Sequence, residues 1–349
     1  MSVTMADVVE RRMRHAAQQL GAADPTPYVG ELIERSFHLP PGHAAYAANS
    51  LTPGAVPFEP SYSEREPHVL RFTIEPIGAG SSPVSRRDEA TRAMRGLVGA
   101  QFGRDALRWF DGRSEEWRGM GSPSNLGYGA WFGTAYDHDG LHSSKMYYEL
   151  QPRQLEALPV MLGTLVRMAQ ETMPQLLPVF TSISCGRNSG KQRITFMHQG
   201  QLRLAELGPL MQRLGLGHQL PSMMQIVGLA LGGRFDLPER SFLLGLSETG
   251  EGPEVKLEIL LPSLPDVPPM FLDLLALGLA ERPRELRALG RWLQAFTPES
   301  QDWPGDFTVL SVRATPLTPA RVSLYLRPAE FEIRRRLSDV SRLQSAAAR

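Results

Sequence analysis

Seven basic residues recur in five short segments of similar pattern: Arg71 in "RFTIE", Lys145 in "KMYYE", Lys191 and Arg193 in "KQRITF", Lys256 in "VKLEI", and Arg321 and Arg327 in "RVSLYLR". Converging cations of this kind can bind a polyanion. Each unit-charge pair at about 4 Å is worth roughly 4 kcal/mol at an effective dielectric of about 20, less the desolvation of the cation. Tyr147 and Tyr325 share a strand face with Lys145 and Arg321 by period two. Each offers a ring face to a nearby cation, worth roughly 0.5 to 2 kcal/mol, or a hydroxyl to an anion. Glu59, in "PFE", supplies a carboxylate that can accept a proton; burial would raise its pKa and nearby cations would lower it.

Other reactive residue types form no such pattern. The chain has no Asp-rich "DDxxD" motif that could hold magnesium. His138, His142 and His198 lack metal-ligand spacing, so no metal site is assigned. Asp137-His138-Asp139-Gly140 starts like a calcium loop, but no later glutamate completes one, and a hairpin turn accounts for it. Cys185, the single cysteine, reads as a strand residue turned into the core, and it has no partner for an internal disulfide. Glu75 follows Arg71 at strand spacing and is expected to orient it.

The elements that must position these residues follow from the same alternation. Between the basic positions lie apolar ones, among them Phe72, Met146, Ile194, Leu257 and Leu324. Successive side chains of a strand point to opposite faces, so each segment has one cationic face and one apolar face. Each also has a strand-like partner just before it: "VPFEPSY", "GYGAWFGTAY", "PVFTSISC", "SFLLGLSE" and "DFTVLSV". Turn residues join them, as in Gly186-Arg187-Asn188-Ser189-Gly190 and Thr249-Gly250-Glu251-Gly252. Five hairpins result.

Between hairpins the period lengthens to that of helices: Leu155, Leu158, Leu162 and Leu165; Leu207, Met211 and Leu214; Leu286, Leu289, Leu293 and Phe296. An irregular repeat of helices and a hairpin is satisfied by ten antiparallel strands closed into a barrel, with helices covering its apolar outside. The fold class is thus α+β. The lumen of such a barrel is polar and large enough for ligands.

A length of 349 residues allows two ordinary domains or one large barrel, and no obvious domain boundary appears. Lys plus Arg and Asp plus Glu are balanced at 37 each, which removes the usual ground for nucleic-acid binding. The most apolar stretch, Met270 to Ala280, is interrupted by Asp273 and is far shorter than the roughly 20 residues that span a bilayer. It reads as a buried helix, and no membrane association is expected. The amino terminus is a charged helical pattern without an apolar signal core, which makes a cytoplasmic location the expectation. Residues 1–50 read as a helical extension packed on the barrel, 51–337 as the barrel, and 338–349 as a mobile tail.

Several of these segments together resemble the ABBA-fold aromatic prenyltransferases, specifically the branch similar to dimethylallyltryptophan synthase. The resemblance rests on Pro57-Phe58-Glu59, Leu70-Arg71-Phe72-Thr73-Ile74-Glu75-Pro76, Lys145-Met146-Tyr147, Lys191-Gln192-Arg193-Ile194-Thr195 and "RVSLYLRP" from Arg321 to Pro328. It spans about residues 50 to 330 with the hairpin order kept. Thr195 stands where the family commonly has tyrosine, and Pro60 where an aromatic residue is frequent.

The resemblance implies a metal-independent transfer of a dimethylallyl group from its diphosphate to an aromatic acceptor, an indole or tryptophan-type compound, with no cofactor. It implies Arg71, Lys145, Lys191, Arg193, Lys256 and Arg321 around the diphosphate, Tyr147 and Tyr325 as cation shield, Glu59 as the base, and Trp131 and Thr195 as acceptor walls. Small molecules are the only partners expected, on a monomer or weak homodimer. Transfer to tyrosine, a phenolic ring or a peptide side chain is the alternative within the class. A noncatalytic barrel binding an isoprenoid phosphate or an anionic lipid is the alternative outside it.

Overall fold

The computed structural model describes residues 3–78, 80–118, 126–187 and 190–333. Two helices, α1 (Met5–Leu20) and α2 (Thr26–Ser36), precede the first hairpin, β1 (Phe58–Ser63) and β2 (Leu70–Ile74). The long α3 (Pro83–Arg118) is broken at Gly103, whose φ of 85° only glycine adopts readily, and leads to β3 (Ala130–Asp137) and β4 (Gly140–Glu149). Helix α4 (Val160–Thr172) precedes β5 (Leu176–Gly186) and β6 (Gly190–His198). Then come β7 (Leu202–Arg203), α5 (Gly208–Arg213), α6 (Leu220–Ala230), β8 (Asp236–Leu237), β9 (Phe242–Thr249) and β10 (Gly252–Leu260). Helices α7 (Phe271–Gly278) and α8 (Pro283–Phe296) lead to the last pair, β11 (Gly305–Ala314) and β12 (Arg321–Pro328).

Ten of these strands close into one antiparallel barrel in the order β1, β12, β11, β10, β9, β6, β5, β4, β3, β2, while β7 and β8 form a separate ribbon. The five hairpins expected from alternation are all present, and closure leaves the barrel itself with no unpaired edge. Phe72, Met146, Ile194, Leu257 and Leu324 point outward and are buried under the helices. Helix α3 covers β3 to β6, α4 covers β9 and α6 covers β11. The core therefore lies between barrel and helices, and the lumen is left to polar side chains.

The helices obey the same logic. Ala288, Leu289, Trp292, Ala295 and Phe296 make one buried stripe on α8, and the Trp292 ring meets that of Tyr62 at 6.1 Å. Helix α1 is fixed at its start by a capping box between Thr4 and Asp7, and packs on α2 and α8. The Met270–Ala280 stretch departs from expectation: α7 packs on α6 and buries Phe271 and Leu275 but leaves Leu277 63% exposed, so only one face of it is buried. Asn188 and Ser189 of the β5–β6 turn, the end of the barrel segment beyond 333, and the 338–349 tail lie outside the described residues. Among the described residues no helix is long and apolar enough to cross a membrane.

Candidate active site in the barrel lumen

Residues directly opposite each other in an antiparallel pair share a face, so the register determines what meets inside. One lateral row runs Glu59, Thr73, Gly133, Lys145, Ser184, Lys191. A second runs Trp131, Tyr147, Ser182, Arg193, Ser247, Glu254. A third runs Phe180, Thr195, Gly245, Lys256, Arg313, Arg321. Gly245 matters for packing in that row, because a Cβ there would lie 2.7 Å from Cδ of Arg193.

At the hairpin-turn end these rows enclose a cavity of about 630 Å³, whose walls include Arg71, Lys145, Tyr147, Lys191, Arg193 and Tyr325. Arg313, which the reading of the sequence did not single out, also lines it. Glu254, fully buried, is the hub of this cluster. Its Oε1 receives Lys191 Nζ at 2.6 Å, Arg193 Nη2 at 2.5 Å and the Ser247 hydroxyl at 3.2 Å, with Arg313 Nε at 3.7 Å. Burial opposes its charge, but Arg313, Arg193 and Lys191 hold the carboxyl well below the usual carboxylate range.

The cations outnumber their counter-charge. Burial and the neighbouring Arg193 lower Lys191 to about 7 even with Glu254 beside it. Lys145 has no hydrogen bond or ion pair among the described residues, only the face of Tyr147 at 5.3 Å. Burial, then Arg193, Lys256 and Arg313, push its ammonium well below the ordinary lysine value.

A ring of ion pairs surrounds the mouth. Arg71 is bound to Glu66, His142 bridges Glu66 and Asp137 at 3.1 Å each, and Arg187 grips Asp137 with two bonds of 2.7 Å. Burial opposes the charge of Glu66, but His142 and Arg71 hold it well below its ordinary range. Asp137, His138 and Asp139 bring ligand atoms within 4.8 Å of one another, yet Asp137 is already committed to Arg187 and His142. Arg321 is at the rim, bound at 2.6 Å by Glu64, which also holds Arg282. It does not line the cavity, and its cross-strand neighbour Arg313 does. Arg327, at the other end of β12, is tied to Asp306 and lies 3.7 Å from Glu332.

Below the cavity the character changes. Lys256 is bound to Glu258 and donates to the Tyr325 hydroxyl at 2.6 Å, its ammonium 5.0 Å from that ring. Glu59, 7% exposed, accepts one bond of 2.8 Å from Thr308. Burial raises its pKa to about 7, the Thr308 bond and Lys256 lower it, and Glu258 raises it. Trp131 stacks on Tyr128 at 4.2 Å and stands edge-on to Tyr147 and Phe180. Its indole N–H donates to Ser50 and Glu75 at 3.1 and 3.3 Å. Thr195 is buried beneath Arg193 with its hydroxyl unpartnered.

Glu75 does not orient Arg71. It lies beyond the end of β2, where alternation no longer applies, and binds Arg86 at 3.0 Å together with Ser50 and Trp131. Cys185 is buried outside the lumen and its thiol is pushed up to about 12 by burial, so no thiolate is available there. The two cluster residues that sequence reasoning passed over, Arg313 and Glu254, both carry a signal. Each lies an even number of positions from a lumen residue, Arg313 from Ser311 and Glu254 from Lys256. What was lacking was the register that sets them beside Lys191 and Arg193.

No protein-family model and no curated protein matches the chain in sequence. Solved structures do match it over nearly their whole length. The 5-dimethylallyltryptophan synthase from Streptomyces coelicolor is 17% identical at a TM-score of 0.70, over 96% of this chain and 100% of its own. The 6-dimethylallyltryptophan synthase from Micromonospora olivasterospora, solved with DMASPP and Trp, is 16% identical at 0.70, over 95% and 99%. The prenyltransferase PriB in its apo form is 17% identical at 0.68, over 95% and 98%. The barrel described above is thus the ABBA prenyltransferase fold.

Proposed function

We propose that this chain is an aromatic prenyltransferase that moves a dimethylallyl group from its diphosphate to an indole-type acceptor without a metal. The observation that carries the reading is the excess of cations, buried Arg193 and half-buried Lys145, Lys191 and Arg313, set around a cavity whose floor leads to tyrosine rings and a carboxyl of pKa about 7. Solved neighbours named as tryptophan prenyltransferases support the acceptor class.

In this reading Lys145, Lys191, Arg193 and Arg313 hold the diphosphate, with Arg71 at the rim and Lys256 from below. Arg321 contributes from its pair with Glu64 rather than from the cavity wall. The allylic C–O bond breaks and its electron pair leaves with the diphosphate, whose charge the cations neutralise as it develops. Tyr147 and Tyr325 face the allylic cation and keep water from it; burial holds both hydroxyls protonated, so they donate rather than repel. The ring's π electrons form the new C–C bond. Glu59, one cross-strand step from the cavity wall at Thr73, takes the ring proton and restores aromaticity. Trp131 and Phe180 give the acceptor an aromatic wall, and Thr195, fully buried beneath Arg193, adds no surface to it.

The test is incubation with dimethylallyl diphosphate, a panel of indoles, phenols and peptides, and a metal chelator, followed by mass measurement of every acceptor. Gain of one C5H8 unit on an indole, undiminished by chelator, is the expected result. Gain only on phenols or peptides would move the acceptor class. Diphosphate binding with no gain on any acceptor would leave a binding protein, and loss of activity on chelation would contradict the metal-free step.

A further inference from the structure

Glu254 is unlike the other carboxylates of the mouth. Glu64 and Glu66 hold the rim: Glu64 is bonded by Arg282 and Arg321, neither of which lines the cavity, and Glu66 by Arg71 and His142 at the mouth. Glu254 instead faces the cations that wall the cavity, and all its close donors fall on one oxygen. The second, Oε2, is buried and unpartnered apart from the Arg65 guanidinium at 3.7 Å. Arg193 Nε is likewise buried without an acceptor. A cluster in which four cations share one carboxylate, while a guanidinium N–H goes unbonded, is short of one anion.

We propose that Glu254 is the built-in counter-ion of this site, which holds Lys191 and Arg193 in place when the cavity is empty and exchanges them with an incoming diphosphate. The inference rests on the cavity being a diphosphate site. Glu254 is a positioning residue here and touches no reacting atom. Without it, Lys191 and Arg193, two residues apart on one face of β6, would repel each other in the empty protein. With it, they remain side by side, and the diphosphate must compete with a carboxylate already in place. Exchange therefore weakens diphosphate binding, and it returns the two cations to Glu254 once the prenyl group has been transferred, which speeds release of the product. The row that places Arg193, Ser247 and Glu254 opposite one another across β6, β9 and β10 makes the exchange a matter of side-chain movement without strand displacement.

The test is calorimetric titration of inorganic diphosphate into wild type, Glu254→Gln and Glu254→Asp. Glu254→Gln keeps the shape and removes the competing charge, so its Kd is expected to fall by at least about tenfold, in the range seen when close charge pairs are altered. Glu254→Asp withdraws the charge by one methylene and should fall between the two. A merely structural role for Glu254 predicts the opposite: disordered cations and weaker binding. Equal or weaker binding by both variants would overturn the exchange.

Should Glu254→Gln fail to fold, Glu254→Asp carries the comparison, and a crystal structure of wild type with inorganic diphosphate decides without any variant. Lys191 Nζ and Arg193 Nη2 on diphosphate oxygens support the exchange, and both still on Glu254 contradicts it. Prenyl transfer is scored separately. Wild type that binds diphosphate but transfers nothing contradicts the enzymatic reading and leaves the exchange standing, whereas no binding by any of the three proteins overturns the exchange itself.

Discussion

The mouth and the floor of the lumen contain the same residue types and treat them in opposite ways. At the mouth, Glu66 and Glu254 are surrounded by guanidinium and ammonium groups that keep them ionised against the cost of burial. At the floor, the nearest cation, Lys256, is already bound to Glu258, so burial prevails and Glu59 rises to about 7. The difference shows that distance along the lumen matters less than which partner is already committed. One end is thereby suited to an anion and the other to a proton, without either interfering with the other.

Substitutions that touch one end only should break this comparison if it is wrong. The largest effect is expected for Glu59→Gln. Loss of a general base typically costs about 10² to 10⁴ in rate, so turnover measured by product mass should fall at least about a hundredfold. Lys145→Met comes next. It removes a basic group that has no hydrogen bond or ion pair among the described residues, so donor affinity should fall by about tenfold or more, since a hydrogen bond to a charged group is worth about 1.5 to 3 kcal/mol. Thermal unfolding should show no loss of stability, because the amine removed is desolvated and has no hydrogen bond or ion pair among the described residues.

The floor carboxyl also gives a stability signature. A pKa raised from 4.5 to about 7 means that the folded protein prefers Glu59 protonated. That preference stabilises the fold fully below pH 4.5 and is lost as pH rises through about 7, a change of about 3 kcal/mol. Denaturant unfolding should therefore find Glu59→Gln more stable than wild type at pH 8, with the gap closing toward pH 4. Activity runs the other way: kcat/KM of wild type should drop on the acid side with an apparent pKa near 7. The smallest effect is expected for Thr308→Val. Loss of the hydroxyl that bonds Glu59 removes a lowering influence, so the acid limb should move to higher pH by about half a unit to one unit. No movement of the limb would mean that another group sets it.

Much of this was legible from alternation alone. Period two assigned Arg71, Lys145, Lys191, Arg193 and Lys256 to one face of their strands, closure of five hairpins into a barrel turns those faces inward, and Glu59 was picked out only by its place in the family-like "PFE" segment. The rest depends on where a strand stops and what lies beside it. Arg321 has the right parity but is the first residue of β12, within reach of Glu64 from the β1–β2 turn. Glu75 follows the last residue of β2 and turns to α3. Arg313 is on the first strand of its hairpin, while the basic pattern was strongest on second strands. Glu254 carries the opposite charge to that pattern, and only the pairing of Arg193 with Ser247, and of Ser247 with Glu254, makes it a neighbour of the cations.

The division of the lumen is tested most directly by measuring diphosphate binding and prenyl transfer side by side in wild type, Glu59→Gln and Lys145→Met. The expected result is that Glu59→Gln binds inorganic diphosphate as tightly as wild type while transferring almost nothing, and that Lys145→Met loses binding. If Glu59→Gln lost diphosphate affinity along with transfer, or kept full transfer, the separation of an anion end from a proton end would be wrong.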